Sequence, residues 1–167
     1  AAWQSAARRV GLDTPIDFAA RDSATVGGAI ATNAGGSRVL RYGTMRQQVV
    51  GVEAVLADGS IVGTLTGLPK ETVGLHWPSL LAGSEGTLAV VTAARLRLVP
   101  RFEHVVTAML STVTVDDAVD LVGRLRHRLG SLDSIEFIQP EALDLVVDHL
   151  GATPPIDVVT NGTVLTV

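Results

Sequence analysis

Apolar and polar positions follow two different periods along this chain, with a long stretch between them that follows neither. Residues 1–11, AAWQSAARRVG, place Trp3, Ala6, Ala7 and Val10 on one helical face and end on Gly11, a natural stop, so an opening helix is predicted. From Asp13 to about Tyr42 the chain turns to Gly, Ala, Thr, Ser and Asn without a period. This predicts a long loop with room for a short helix around Ala29–Ala34. Loops of that length in a compact domain are functional or disordered, and the scarcity of charge argues against disorder. In VVGVEAVLADGSIVG (Val49–Gly63) two apolar runs flank Asp58-Gly59, a pair suited to the positive φ angles of a two-residue hairpin turn. GLPK then reads as a turn, HWPSLLAGSEG as holding a short helix, and TLAVVTAARLRLVP as one or two strands. Arg95 and Arg97 alternate with Leu96 and Leu98, which turns one strand face to solvent.

After Pro100 the pattern changes. HVVTAMLS reads as a strand. Thr114 caps a helix with Asp117 at its third position, an Asp version of the capping box. Ala118, Val122, Leu125 and Leu129 form the apolar stripe, and Gly130 closes it. SIEFIQ is a further strand, Pro140 starts a helix that stops at Gly151, and a last strand begins near Ile156. The fold class is therefore α+β, with a boundary near Pro100–Arg101 separating residues 1–100 from 101–167. The chain begins on alanine and ends within a strand-like run, TNGTVLTV, which reads as a piece of a longer protein.

Composition narrows the function classes. The 167 residues include 47% hydrophobic positions and carry a net charge of −4, so no basic footprint for nucleic acid is present. With no cysteine there is no disulfide framework, thiolate nucleophile or cysteine metal site, a composition that fits a reducing compartment. No run approaches the roughly 18–20 apolar residues of a membrane span.

Two stretches carry candidate chemistry. TVGGAIATNAGG (Thr25–Gly36) concentrates glycine and alanine without charge. Glycine lets main chain approach a ligand, and Thr25, Thr32 and Asn33 add short hydrogen-bonding side chains. Arg38 and Arg41 follow and could balance a diphosphate. The competing reading is a structural loop crossing close to a sheet. GSEGTLAVVT (Gly83–Thr92) again brackets polar groups with glycines and feeds a strand. Ala82 rules out a nucleophile elbow, and neither a P-loop nor a GxGxxG fingerprint occurs.

DSATVGGAIATNAGGSRVLRYGTMRQQVVGVEAVLADGS together with LLAGSEGTLAVVTAARLRLVP closely resembles the FAD-binding domain of the FAD-linked oxidases of the vanillyl-alcohol oxidase superfamily. Within that superfamily it is most similar to the branch of glycolate oxidase FAD subunits, D-lactate dehydrogenases and D-2-hydroxyglutarate dehydrogenases. The resemblance covers most of residues 11–100. It implies the second subdomain of a PCMH-type FAD-binding domain, mainly antiparallel sheet with flanking helices. Residues 101–167, with SIEFIQPEALDLV, resemble the start of the family's α+β substrate, or cap, domain.

Carried over by position, the resemblance implies that Thr25, Gly27, Gly28, Thr32, Asn33, Gly35 and Gly36 line an FAD site. Glu85, Gly86 and Val90 or Val91 would lie along its other side, and the alanines would be small because the flavin passes over them. The implied parent is an FAD-dependent dehydrogenase or oxidase of a small 2-hydroxy acid of the glycolate or D-lactate type, passing a hydride to flavin N5. The piece alone is expected to be inactive. An electron acceptor, an oligomer or multisubunit complex, and a cytoplasmic location with any membrane contact made through partners complete the expectation.

This sequence also departs from the family pattern. Ala29 stands for an Asn, Ala89 for a Gly, and KETVGLHW for a K-D-N-T-G-Y-D-L motif. The family's diphosphate loop and its later arginine and histidine ligands have no counterpart here, so no catalytic or metal-binding residue is assigned. Among other candidates, His127 and His149 read as surface groups, while His76 precedes the second glycine stretch. Glu85 reads equally as a brace within its turn. Asp116 and Asp117 suit a helix start, Arg124, Arg126 and Arg128 a solvated face, and Asn161-Gly-Thr163 is a sequon by pattern alone. The rival to the enzyme reading is a non-catalytic α+β module whose glycine loops are structural, or bind another nucleotide or a protein partner.

Overall fold

The computed structural model describes residues 2–68, 70, 72–154, 156–157 and 163–167. Its chain divides into two units, Ala1–Glu103 and His104–Val167.

In the first unit, α1 spans Ala2–Arg8 and ends before Gly11, whose φ of 76° only glycine adopts cheaply. Ala7 is its buried residue and Trp3 is half-buried, whereas Ala6 and Val10 are exposed. The inward face is therefore narrower than the sequence stripe. The expected loop from Asp13 to Tyr42 is instead a chain of short pieces: β1 (Leu12–Asp13), a 3-10 turn (Ala19–Asp22), α2 (Val26–Ala31) and α3 (Val39–Tyr42). The short helix is there, beginning three residues ahead of its expected start at Ala29. Next come α4 (Met45–Gln48), β2 (Val49–Val55), β3 (Ile61–Thr64), α5 (Trp77–Leu81), β4 (Val90–Leu96) and β5 (Val99–Pro100).

The sheet runs β3-β2-β4 and is antiparallel throughout, while β1 pairs with β5. The hairpin forms as expected, but its turn is not a two-residue one. Leu56 pairs with Ser60, and Gly59 donates to the Leu56 carbonyl, so Ala57, Asp58 and Gly59 make the bend. Only Gly59 takes a positive φ, 86°, and Asp58 instead accepts the Ser60 amide at 2.9 Å. That bond holds the Asp58 carboxyl below its ordinary range.

Ile16, Ala29, Ile30, Met45, Val49, Val52, Ala54, Leu81, Ala82 and Ala89 form the core between the sheet and α2, α4 and α5. Ala29 and Ala89, two of the departures from the family pattern, are thus core residues.

In the second unit, β6 (Met109–Thr112), α6 (Val115–Arg128), β7 (Glu136–Ile138), α7 (Pro140–Leu150) and β8 (Thr163–Thr166) follow the expected β-α-β-α-β order. Strand β8 is central and antiparallel to both β6 and β7, and its Thr163, Val164 and Leu165 are buried. The strand expected over HVVTAMLS is regular only from Met109. Ala108 still exchanges bonds with Val167, but Val105 and Val106 before it are exposed. The capping box of Thr114 and Asp117 is present in both directions. Helix α6 ends on an extended Leu129 rather than on a left-handed Gly130, whereas α7 ends on left-handed Gly151. Ile156 itself lies outside β8, and residues 158–162, between it and the strand, fall outside the described residues.

Candidate functional site

Helix α2 is shaped by its own hydroxyls. Thr25 is the N-cap, with Oγ1 accepting the Gly28 amide at 2.9 Å, and Thr32 Oγ1 donates to the Gly28 carbonyl at 2.9 Å. Asn33 then enters the left-handed region, φ 50°, and its Oδ1 accepts the Arg46 amide at 2.9 Å. Ala29 and Ile30 point into the core, leaving Thr25, Val26, Gly27, Gly28 and Thr32 exposed.

The second stretch follows α5. Gly83, Glu85 and Gly86 all have positive φ, 83°, 51° and 77°. This winding turns two amides toward α2: Gly83 N–H donates to the Ile30 carbonyl and Glu85 N–H to the Ala31 carbonyl, each at 2.9 Å. Arg46 adds a third tie, its Nη2 donating to the Ala82 carbonyl at 2.7 Å. Two stretches about fifty residues apart are thereby joined along one seam.

The glycines on that seam serve different ends. A Cβ on Gly36 would stand 1.9 Å from the Asp17 carbonyl oxygen, so this glycine, at φ 126°, lets the chain cross itself. A Cβ on Gly35 would come within 3.1 Å of Val39, one on Gly28 within 3.0 Å of Thr25 Oγ1, and one on Gly83 within 3.1 Å of both Arg46 Nη2 and Asn33 Cβ. At Gly27 and Gly86 it would meet nothing within 4 Å. Their main chain faces open space. Glu85 is also exposed and its carboxylate accepts no bond among the described residues, so it does not brace the turn. A bulge at Thr92, whose hydroxyl bonds Glu53 at 2.7 Å, sets Val90 outward while Val91 packs on the core.

Other expectations need correction. Arg38 is buried, with Nη1 on the Thr14 carbonyl at 2.6 Å and its guanidinium over the Tyr42 ring at 4.7 Å. Arg41 lies over the Phe102 ring at 5.1 Å and bonds the Tyr42 hydroxyl at 3.1 Å. Both arginines clamp protein, and neither is arranged around a diphosphate. Two of the three alanines are small for the core's sake, Ala29 being buried and Ala34 packed against it. His76 caps α5, with Nδ1 accepting the Ser79 amide at 3.3 Å and 2.7 Å from Ser79 Oγ. Arg46 was not legible as a site residue, because nothing in its spacing announces the carbonyl it reaches 36 residues later.

Beside α2 a cavity of about 200 Å³ opens between Trp3, Ile16, Phe18, Thr25, Val26 and Ala29. Among the described residues no group of His, Asp or Glu could hold a metal ion, and no helix is long and apolar enough to cross a membrane.

Residues 1–64 match the FAD binding domain family. The mitochondrial D-2-hydroxyglutarate dehydrogenase of Bos taurus is 41% identical over 147 residues, 87% of this chain and 27% of the relative. The D-lactate dehydrogenase of Archaeoglobus fulgidus is 42% identical over 140 residues, 84% of this chain and 31% of the relative. The chain belongs to the FAD-linked oxidase family. The D-2-hydroxyglutarate dehydrogenase of Xanthomonas citri is 40% identical over 92% of the chain and 32% of the relative. The chain thus spans roughly three tenths of the length of these relatives. A solved alkyldihydroxyacetonephosphate synthase shares the fold, with a TM-score of 0.75 over 98% of this chain and 31% of its own, at 20% identity.

FAD is the cofactor of this family, and the residues present suit it. Bare main chain at Gly27 and Gly86 is what a flat ring system requires where it lies against a backbone, and a Cβ at either position would enter that space.

Proposed function

We propose that this FAD-linked oxidase chain supplies one wall of the cofactor site of a dehydrogenase for small 2-hydroxy acids. Thr25, Gly27, Gly28, Thr32, Asn33, Gly35 and Gly36 form one side of that wall, and Glu85, Gly86 and the outward Val90 the other, with Val91 packed on the core behind it. Residues 1–100 then act as part of the FAD-binding domain and 101–167 as the start of the substrate domain. The observation that carries the reading is the seam itself, in which the Gly83 and Glu85 amides bond the α2 carbonyls and set both bare stretches side by side.

The residues divide the work. Gly27 and Gly86 admit the ligand to the backbone. Thr25 and Thr32 are exposed, and each hydroxyl oxygen retains a lone pair beyond its local bond. The exposed Glu85 carboxylate accepts a hydrogen bond from a ligand hydroxyl or N–H. Asn33, Gly35 and Gly36 hold the loop's path around those contacts. When bound, FAD supplies the two-electron acceptor, taking at N5 the hydride from the carbon that bears the substrate hydroxyl. D-2-hydroxyglutarate and D-lactate, named for the relatives, are the first substrates to test, with glycolate as the smaller member of the class.

The test is reconstitution of the protein expressed from its complete reading frame. Flavin absorbance should travel with the protein in gel filtration, and anaerobic addition of one of these hydroxy acids should bleach it. Thr32→Val and Glu85→Ala should each weaken FAD binding while leaving the fold intact. A protein that elutes free of flavin, or variants that unfold without changing affinity, would favour the structural role for the glycine loops.

A further inference from the structure

We infer that Arg46 is a positioning residue for the cofactor wall, acting without touching the cofactor itself. The inference rests on the FAD reading above and goes one step past it. The wall consists of two stretches whose registry depends on a small number of bonds. Two are backbone bonds, Gly83 to Ile30 and Glu85 to Ala31. The others converge on one residue. The Arg46 amide donates to Asn33 Oδ1 at 2.9 Å, holding the residue at which the chain turns left-handed out of α2. The Arg46 guanidinium donates through Nη2 to the Ala82 carbonyl at 2.7 Å, immediately ahead of Gly83.

Arg46 therefore grips the exit of the first stretch and the entry of the second at once. The packing agrees: a Cβ on Gly83 would come within 3.1 Å of both Arg46 Nη2 and Asn33 Cβ, so the three groups already stand at contact distance. The bond to Ala82 is charge-assisted and part-buried, with a buried acceptor residue and an exposed Arg46. A long cationic side chain has the reach for this single bond, whereas one as short as glutamine leaves the carbonyl unpaired. Without the tie, Gly83–Gly86 can drift from α2, and a ligand bridging the two stretches then has to restore their registry as it binds.

The experiment compares Arg46→Ala, Arg46→Gln and Arg46→Lys with the wild-type protein expressed from its complete reading frame, by FAD titration and by amide hydrogen exchange. Arg46→Ala should weaken FAD binding about tenfold, the scale of one lost charge-assisted bond. Exchange at Gly83 and Glu85 should accelerate while β2 amides keep their protection. Arg46→Lys should recover most of the affinity, and Arg46→Gln, with too short a reach, should not. If Arg46→Ala does not fold, Arg46→Gln decides by the same two readouts. Unchanged affinity in Arg46→Gln, or slow exchange at Gly83 and Glu85 in a variant with weakened binding, overturns the positioning role. A wild-type protein that binds no FAD overturns the functional reading beneath it, a result separable from the first.

Discussion

Gly27 and Gly36 sit nine positions apart and answer opposite demands. Gly36 is a glycine because the chain crosses itself, with the Asp17 carbonyl standing where a Cβ would be. Gly36→Ala should therefore lose about 2 kcal/mol or more of stability, measured by chemical denaturation, from the clash and the positive φ together. Arg38 makes the same point about charge. It reads in the sequence as an anion-binding group, yet it is buried against Thr14 and Tyr42. Arg38→Ala should cost about 2–3 kcal/mol by leaving the Thr14 carbonyl unpaired, with FAD affinity changed little in the molecules that remain folded. Neither distinction was legible beforehand. Composition marks a glycine or an arginine, but only the chain packed above it tells whether it yields to protein or to ligand.

Among the elements, those with local signals were readable. The capping box of α6, the Pro140 start and Gly151 stop of α7, and the β2–β3 hairpin all rest on residues a few positions apart. The short helices α3 and α4 were not, and α2 was placed three residues late, because four to six residues hold no full period and their stability comes from the core beneath them. The same limit hid the turn type at Asp58-Gly59, where a side-chain bond to Ser60 replaces a second positive φ. Thr114→Ala should cost about 1 kcal/mol in thermal or denaturant unfolding. At Asp58 the folded pKa lies below the unfolded one, so its contribution is complete above the ordinary carboxylate range and is lost as pH falls through the lowered value. The stability gap between wild type and Asp58→Ala should accordingly shrink on acidification and stay level above neutrality.

For the whole molecule, the family resemblance placed the glycine stretches in order, and the fold explains why the order matters. A helix, a turn that leads into a strand and one arginine bring together segments that only a folded sheet could align. Binding to the native state alone raises its stability by mass action, about 2.7 kcal/mol at a hundredfold excess over Kd. FAD should therefore raise the thermal midpoint and slow exchange at the Gly83 and Glu85 amides.

The most direct measurement is FAD titration of the protein from its complete reading frame beside its Gly27→Leu variant, with unfolding followed on both. Position 27 lies in α2 with open space above it, so the leucine should leave stability equal or slightly higher while weakening FAD binding by at least about tenfold. A folded Gly27→Leu protein that binds FAD as tightly as wild type would place the cofactor elsewhere and contradict the account.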